Sequence, residues 1–388
     1  MTPEVSIVGV GMTAMDRRDL TPEALARQAV QEALADAGLS PADVGLVVMA
    51  NALGGRLSDQ GCIRGQSWLR DAGLGNAGIV NVDNSCAGGS SAMHVAVMGA
   101  RAGQSPVLVV GVEKMWTGNR AQTIAGIEDG LPADERADLR ATIENEAGSV
   151  LMGLNARWVR HQIDVLGTTV HQIAAAAAKA RRCAARNPLA QFRTPVTVEE
   201  VLAAPVVAGS LTRLMCSSFT DGAAAAVLVT GPVRGAPRVR ASILRSGNGE
   251  LDYHKRLEDT VAVAWKEAGV GPTDVDVIEL HDATSAEELF ALESLGFFPA
   301  GTAGAATAAG DTDIGGRAVF VNPSGGLVAR GHPLGATGLC QIAELVHQLL
   351  GRAIGRQRLG ARIAMAVNTG GIISGDAAAV GIHVLQGA

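Results

Sequence analysis

Aromatic residues are scarce: Phe, Trp and Tyr make up 3% of the 388 residues, while 47% of the chain is hydrophobic. The core must therefore be filled largely by Ala, Val and Leu, which suits helices packed closely on sheets, in a chain long enough for two fused halves. Paired cysteines are absent as well. Cys62, Cys86, Cys183, Cys216 and Cys340 are odd in number, share no repeated spacing and form no Cys-x-x-Cys. That argues against a disulfide framework and a zinc site, so no metal is expected and a reducing, cytoplasmic setting is. There is no basic excess, since the formal net charge is −6, which speaks against nucleic acid as a partner. No apolar run reaches membrane-spanning length. Met1–Val10 has no basic region ahead of an apolar one and reads as a first strand rather than a leader.

Glycine is abundant, with 49 residues, as expected of a chain with many tight strand-to-helix turns. Strand and helix alternate. Val5–Val10, Val44–Asn51, 78–82 and Val107–Val112 read as buried strands. Helices are expected at Pro22–Gly38, Gly61–Leu69 and from Cys86 to about Gly103. From 114 to 215 the pattern changes to helical runs, Thr168–Arg186 and Thr197–Ala204, and an insertion of that length is usually functional. The sheet resumes at Asp221–Val229, with strands at Val239–Leu244, Val275–Leu280 and Ile363–Val367 and a helix at Thr260–Gly269. The expected division is 1–113 with 216–235 as a first half, 114–215 as an inserted loop domain and 236–388 as a second half.

Two Gly-rich helix starts carry chemistry. Asn84-Ser-Cys86-Ala-Gly-Gly-Ser-Ser follows a strand and opens a helix of small residues. A cysteine there is either a small core residue or a thiol whose thiolate is favoured by the helix dipole and free N–H groups. The second start is Gly331-His-Pro-Leu-Gly-Ala-Thr-Gly338. Pro333 fits a first helical turn, and His332 is either a cap or a neutral imidazole able to take a proton.

An internal repeat relates the two. Ala37–Ala50 aligns without a gap on Ala268–His281, each reading helix, Gly-x-x-Pro-x-Asp turn, strand. In each half a Gly-rich helix start follows, Cys86 in the first and His332 in the second. Two fused copies of one α/β unit, packed pseudo-symmetrically, would bring these helix starts together. The insertion adds a basic stretch: Arg157, Arg160, Lys179, Arg181, Arg182, Arg186 and Arg193 against Asp164. It is either a solvated helix face or a cradle for an anionic ligand such as a nucleotide phosphate.

Asn322-Pro-Ser-Gly-Gly326, Gly331–Gly338, the Cys86 helix start and Asp221-Gly-Ala-Ala-Ala together resemble the thiolase superfamily. His281-Asp282 and Asn187-Pro-x-x-Gln-Phe192 are most similar to its sterol-carrier-protein-2 type. The resemblance covers nearly the whole chain. It implies a five-layered αβαβα fold and an acyl-CoA C-acyltransferase that forms or cleaves a C–C bond beside a coenzyme A thioester. No cofactor is permanently bound; coenzyme A and acyl-CoA are substrates. Cys86 would be the nucleophile, His332 its base, and His281 with Asn322 would line the oxyanion and acid/base side. Arg181, Arg182, Ser324 and Gly325 are the residues expected to bind coenzyme A. The resemblance also implies a homodimer or dimer of dimers, and a small zinc-ribbon and OB-fold (DUF35-type) partner protein. No appended lipid-transfer domain is expected.

The sequence departs from that family at one function. The second cysteine of thiolases proper, in a C-terminal turn, is replaced at Asn368-Thr-Gly-Gly371. The one that the sterol-carrier type carries after His-Asp is replaced by Ala283. Cys86, His281, His332 and Asn368 remain. Alternative activities on the same fold are retro-aldol cleavage and acyl transfer to an acceptor other than coenzyme A. A non-catalytic acyl-CoA-binding subunit is the third alternative.

Overall fold

The computed structural model describes residues 3–16, 18–143 and 149–388. Its framework is two five-stranded mixed sheets of identical strand order. The first contains β1 (Val5–Met12), β2 (Leu46–Ala50), β3 (Gly78–Val82), β4 (Val107–Glu113) and β5 (Gly222–Thr230), in the order 1-5-4-2-3. The second contains β6 (Arg238–Ser246), β7 (Val277–Glu279), β8 (Phe320–Val321), β9 (Ile363–Ile373) and β10 (Asp376–Gln386), in the equivalent order 6-10-9-7-8. The two sheets meet through one residue pair, Ser6 with Arg238.

The helices that matter are α1 (Pro22–Ala37), α2 (Gly88–Arg101), α3 (Val150–Asp164), α4 (Val170–Ala185), α5 (Tyr253–Ala268), α6 (Ser285–Ser294) and α7 (Thr337–Leu349). α2 and α7 lie between the sheets, where Met93, Val97, Leu339 and Ile342 share one core with Val109, Ala226 and Ala366. α1 covers the outer face of the first sheet, with Leu25 and Ala29 on Val47 and Val227. α5 and α6 cover the outer face of the second, with Leu257 and Leu289 on Ile278 and Ile382. The layers are therefore αβαβα. All three cores are filled mainly by Ala, Val, Leu and Ile, as a chain poor in aromatics requires.

The repeat is visible in its turns. Asp43 accepts the Ser40 N–H at 2.7 Å, and Asp274 accepts the Gly271 N–H at 2.8 Å, each closing a short 3₁₀ turn that leads into a strand. Between β4 and β5 lie α3, α4, shorter helices and a small hairpin, Val206–Ala208 with Leu211–Thr212. Helices at Arg120–Ile127 and Ala133–Thr142 there were not expected from the sequence. α5 begins at Tyr253 rather than Thr260, because the Asp252 side chain caps it by accepting the Lys255 N–H at 2.8 Å. The strand β10 also escaped notice, since its Ala- and Gly-rich stretch has no clear apolar alternation.

Candidate active site

Cys86 and His332 converge because α2 and α7 touch backbone to backbone where they start. A Cβ on Gly338 would lie 2.4 Å from the Ser90 nitrogen, and one on Gly89 would lie 3.0 Å from the Gly335 carbonyl oxygen. Only glycine permits that approach. Just before each functional residue the backbone turns through positive φ, at Ser85 (51°) and Gly331 (119°). For Ser85 that conformation is costly, and it swings the half-buried Cys86 off the strand end.

Donor atoms of Cys86, His281 and His332 all lie within 4.8 Å of one another, and the two imidazole centroids are 5.3 Å apart. Such closeness would also let the three share a metal ion, which the sequence did not suggest. The two imidazoles are held differently. His332 Nδ1 is 2.8 Å from Thr337 Oγ1, whose own proton goes to the Pro333 carbonyl at 3.0 Å. The hydroxyl must therefore accept from His332 Nδ1–H, which leaves Nε2 with the lone pair. Burial first, then the charges of His281 and Arg330, push the His332 pKa well below its ordinary value. His332 is a neutral base.

His281 is the opposite case. Its Nδ1 is 3.2 Å from Glu287 Oε2 and 3.0 Å from Thr369 Oγ1, while its buried Nε2 has no hydrogen-bond partner among the described residues. Burial alone would lower its pKa. The Glu287 hydrogen bond, with the charges of Glu287 and Cys86, outweighs that and pushes it up to about 10. The direction of the shift favours the imidazolium form, a donor rather than a base, most of all when Cys86 is a thiolate.

His332 is further fixed by its backbone N–H, which donates to Thr220 Oγ1 at 3.0 Å; that hydroxyl in turn donates to Gln191 Oε1 at 2.7 Å. The Asn187–Phe192 segment thus docks on the histidine loop. Glu113, at the end of β4, accepts N–H groups of Asn51, Ala52, Leu53 and Gly335. Burial pushes its carboxyl up to about 7, with the Ala52, Gly335 and Leu53 amides drawing it back. No local motif announced Glu113, because its partners lie in distant segments.

A cavity of about 580 Å³ opens in front of Cys86, His281 and His332. Met115, Met152, Trp158 and Phe219 form part of its apolar wall, and Arg18, Arg120, Arg181 and Arg213 also line it. Three of these arginines lie over aromatic rings: Arg18 over Trp116 at 4.2 Å, Arg181 over Phe192 at 4.4 Å and Arg120 over Phe219 at 5.6 Å. Stacking leaves guanidinium edges of Arg120 and Arg181 available to an anion, while Arg18 Nε is paired with Asp16 at 2.9 Å.

Several expected residues are elsewhere. Arg182, next to Arg181 but rotated about 100° around α4, pairs with Asp313 at 3.0 Å and does not line the cavity. The basic stretch is dispersed in the same way, with Lys179 buried against Glu288 at 2.6 Å and Arg157 donating to the Thr142 carbonyl at 3.0 Å. Ser324 and Gly325 are also absent from the cavity wall. Ser324 Oγ donates to Glu279 at 2.7 Å, and Gly325 packs so closely on α4 that a Cβ would lie 2.5 Å from that of Ala184. Asn322 has both ends of its amide occupied, donating to Glu288 at 3.0 Å and accepting the Leu280 N–H at 2.7 Å. It clamps the strand leading to His281 and offers nothing to an oxyanion. Asn368 is fully buried, and both atoms of its amide lack partners among the described residues. It shares a strand face with Gly370, which packs on the Asn84–Ala87 turn, while Thr369 reaches the cavity.

A thiol and an imidazole stand at the paired helix starts of a duplicated five-layer α/β fold. Residues 5–231 match the family description "Thiolase, N-terminal domain", and residues 250–382 match "Thiolase C-terminal domain-like". The chain belongs to the thiolase family. Over 98% of its length it is 36% identical to an acetyl-CoA acetyltransferase of Methanothermobacter thermautotrophicus, covering 99% of that protein. It is 33% identical to the benzoylsuccinyl-CoA thiolase subunit BbsB of Thauera aromatica, over 95% of each chain. It is 34% identical to human sterol carrier protein 2, over 94% of this chain and 70% of that protein. Among solved structures, the chain named "Ltp2-ChsH2(DUF35) aldolase" superposes with a TM-score of 0.81 at 23% identity, covering 100% of this chain and 98% of that one. None of the helices among the described residues is long and apolar enough to cross a membrane.

Proposed function

We propose that the protein is a thiolase-type acyl-CoA C-acyltransferase in which Cys86 carries the acyl group. The supporting observation is the arrangement of one thiol between a neutral imidazole with a free Nε2 and a cationic imidazole. His332 takes the Cys86 proton, the thiolate attacks the thioester carbonyl, and the His281 Nε2–H donates to charge developing on oxygen. Coenzyme A leaves, and the acyl-enzyme is then attacked by a carbanion; cleavage runs the same steps in reverse. Arg18, Arg120, Arg181 and Arg213, which line the cavity, hold the phosphates.

Retro-aldol cleavage is a second reading on the same fold. It is favoured by the absence of sulfur from both Ala283 and Asn368, and in that reaction no acyl group need rest on Cys86. Intact-protein mass after incubation with acetyl-CoA decides between them: an acetyl adduct absent from Cys86→Ala supports the first reading, and its absence from the wild type supports the second. Two assemblies belong to the proposal. β3 is an open sheet edge with Val80 43% exposed, suited to pairing with a second copy. A DUF35-type protein is the second partner, since the solved structure reported above carries DUF35 in its name and BbsB is called a subunit.

A further inference from the structure

Forming or protonating a carbanion beside a thioester needs a base within hydrogen-bond reach of the carbon, and the usual thiol positions hold Ala283 and Asn368. The groups around the cavity can be taken in turn. His332 is engaged with Cys86. His281 gives its Nδ1–H to a carboxylate that can only accept, and in the proposed acylation its Nε2 is the donor to oxygen. Cys216 lines the cavity, but its thiol donates to the Thr212 carbonyl at 3.4 Å and burial pushes it up to about 12. The Tyr253 hydroxyl is bound to Thr369 at 2.8 Å, and burial raises it far above its ordinary value.

Among the described residues two carboxylates remain on the cavity wall. Asp16 is paired with Arg18 at 2.9 Å. Glu287 stands in the first turn of α6, and its Oε2 is 3.3 Å from the backbone nitrogen of Ala283. Its carboxylate therefore lies beside the residue whose side chain would be the missing thiol. Among the described residues, Glu287 accepts its hydrogen bonds at Oε2, from Ala283 N–H and His281 Nδ1–H, so Oε1 is left to take a proton.

We infer that Glu287 is the catalytic base that moves the α-proton of the thioester, in the role that a second cysteine fills in other thiolases. The inference rests on the proposed acyltransferase reading. In condensation, Glu287 removes a proton from the α-carbon of the second acyl-CoA. The C–H electron pair forms an enolate whose oxygen is held by His281 Nε2–H. The α-carbon then bonds to the acyl carbonyl carbon on Cys86, the carbon–sulfur bond breaks, and Cys86 leaves as thiolate. In cleavage, the carboxylic acid of Glu287 returns the proton to the α-carbon.

The test uses acetyl-CoA in D₂O, with deuterium uptake at the methyl group followed by NMR and acetylation of Cys86 by intact mass. In Glu287→Gln, exchange is expected to fall on the order of a hundredfold or more, and by a larger factor than acetylation, which loses only the Glu287 contact to His281. Should that variant not acetylate, Glu287→Ala with added formate decides, with restored exchange supporting the assignment. Wild-type exchange in Glu287→Gln overturns it. So does loss of exchange in Cys216→Ala with retention in Glu287→Gln, absence of exchange in the wild type, or loss of both readouts in both Glu287 variants without rescue. A wild type that exchanges through Glu287 without acetylating Cys86 removes the acyl-enzyme reading and leaves this one standing.

Discussion

Glu113 and Gly335 are 222 positions apart and are joined by a 2.9 Å hydrogen bond from the Gly335 amide to Oε2 of the carboxylate. Glu113 belongs to the first half and Gly335 to the helix start of the second, so this bond ties the turn after His332 to the end of β4. Oε2 also takes the Ala52 N–H at 2.9 Å, and Oε1 takes Asn51 Nδ2 at 2.8 Å and the Leu53 N–H at 3.1 Å. Four donors saturate a carboxylate.

Glu113→Gln should therefore be damaging despite its equal size. The new NH₂ faces two N–H groups that it cannot satisfy, at about 1–3 kcal/mol for each buried donor left unpaired. Chemical denaturation should show a loss of about 2–4 kcal/mol, with slower acylation of Cys86 in what remains folded. Unchanged stability would mean that the His332 loop is held by its other contacts alone.

Much of this site was legible in the sequence, and the division between what was and was not has a physical cause. Cys86 and His332 could be read because each sits in a local Gly-rich helix start, and the repeat around Asp43 and Asp274 paired those starts. Glu113, Thr337 and Glu287 could not, since their importance lies in what they touch after folding. The four cavity arginines come from segments far apart in the chain. Arg181 and Arg182 are neighbours in sequence, but helix geometry sends one to the cavity and the other to Asp313.

That last pair gives a clean comparison. Arg181→Glu should raise the KM for acyl-CoA, with the larger rise at low salt, where a phosphate contact is least screened. Arg182→Glu should leave KM near the wild-type value, since it loses only its half-exposed bridge to Asp313. Equal effects of the two changes would remove Arg181 from the phosphate site.

His281 makes stability depend on pH in a stated direction. Its folded pKa, pushed up to about 10, lies above the ordinary 6.5. Its contribution is therefore fully present below about 6.5 and is lost as pH rises through about 10. The gap in unfolding free energy between wild type and His281→Asn should shrink over that window, by on the order of a few kcal/mol. Guanidinium titrations at pH 6, 8 and 10 measure it, and a constant gap would mean that His281 is not held as a cation.

Val80→Lys tests the open edge. A charge on β3 should discourage pairing with another strand, so sedimentation should move from a dimer to a monomer with little change in thermal midpoint. A wild type that sediments as a monomer would make the edge a free surface.

Asn368 sets function against stability. A buried amide with neither atom satisfied costs about 1–3 kcal/mol, and such a group persists where a ligand completes its bonds. Asn368 stands on the strand face that packs against the Asn84–Ala87 turn, which carries Cys86, so its amide is expected to respond to acylation through that turn. Asn368→Ala removes the unmet amide at the expense of a small cavity. The free variant should be as stable as the wild type or more so, by up to about 1 kcal/mol. Acetylation of Cys86 should then stabilise the wild type more than the variant, and the variant should acylate more slowly. Thermal midpoints of both proteins, before and after acetyl-CoA, give all four numbers. Equal gains on acetylation would reduce Asn368 to a packing residue, and a variant that is less stable from the outset would show that its amide already has a partner in the resting enzyme.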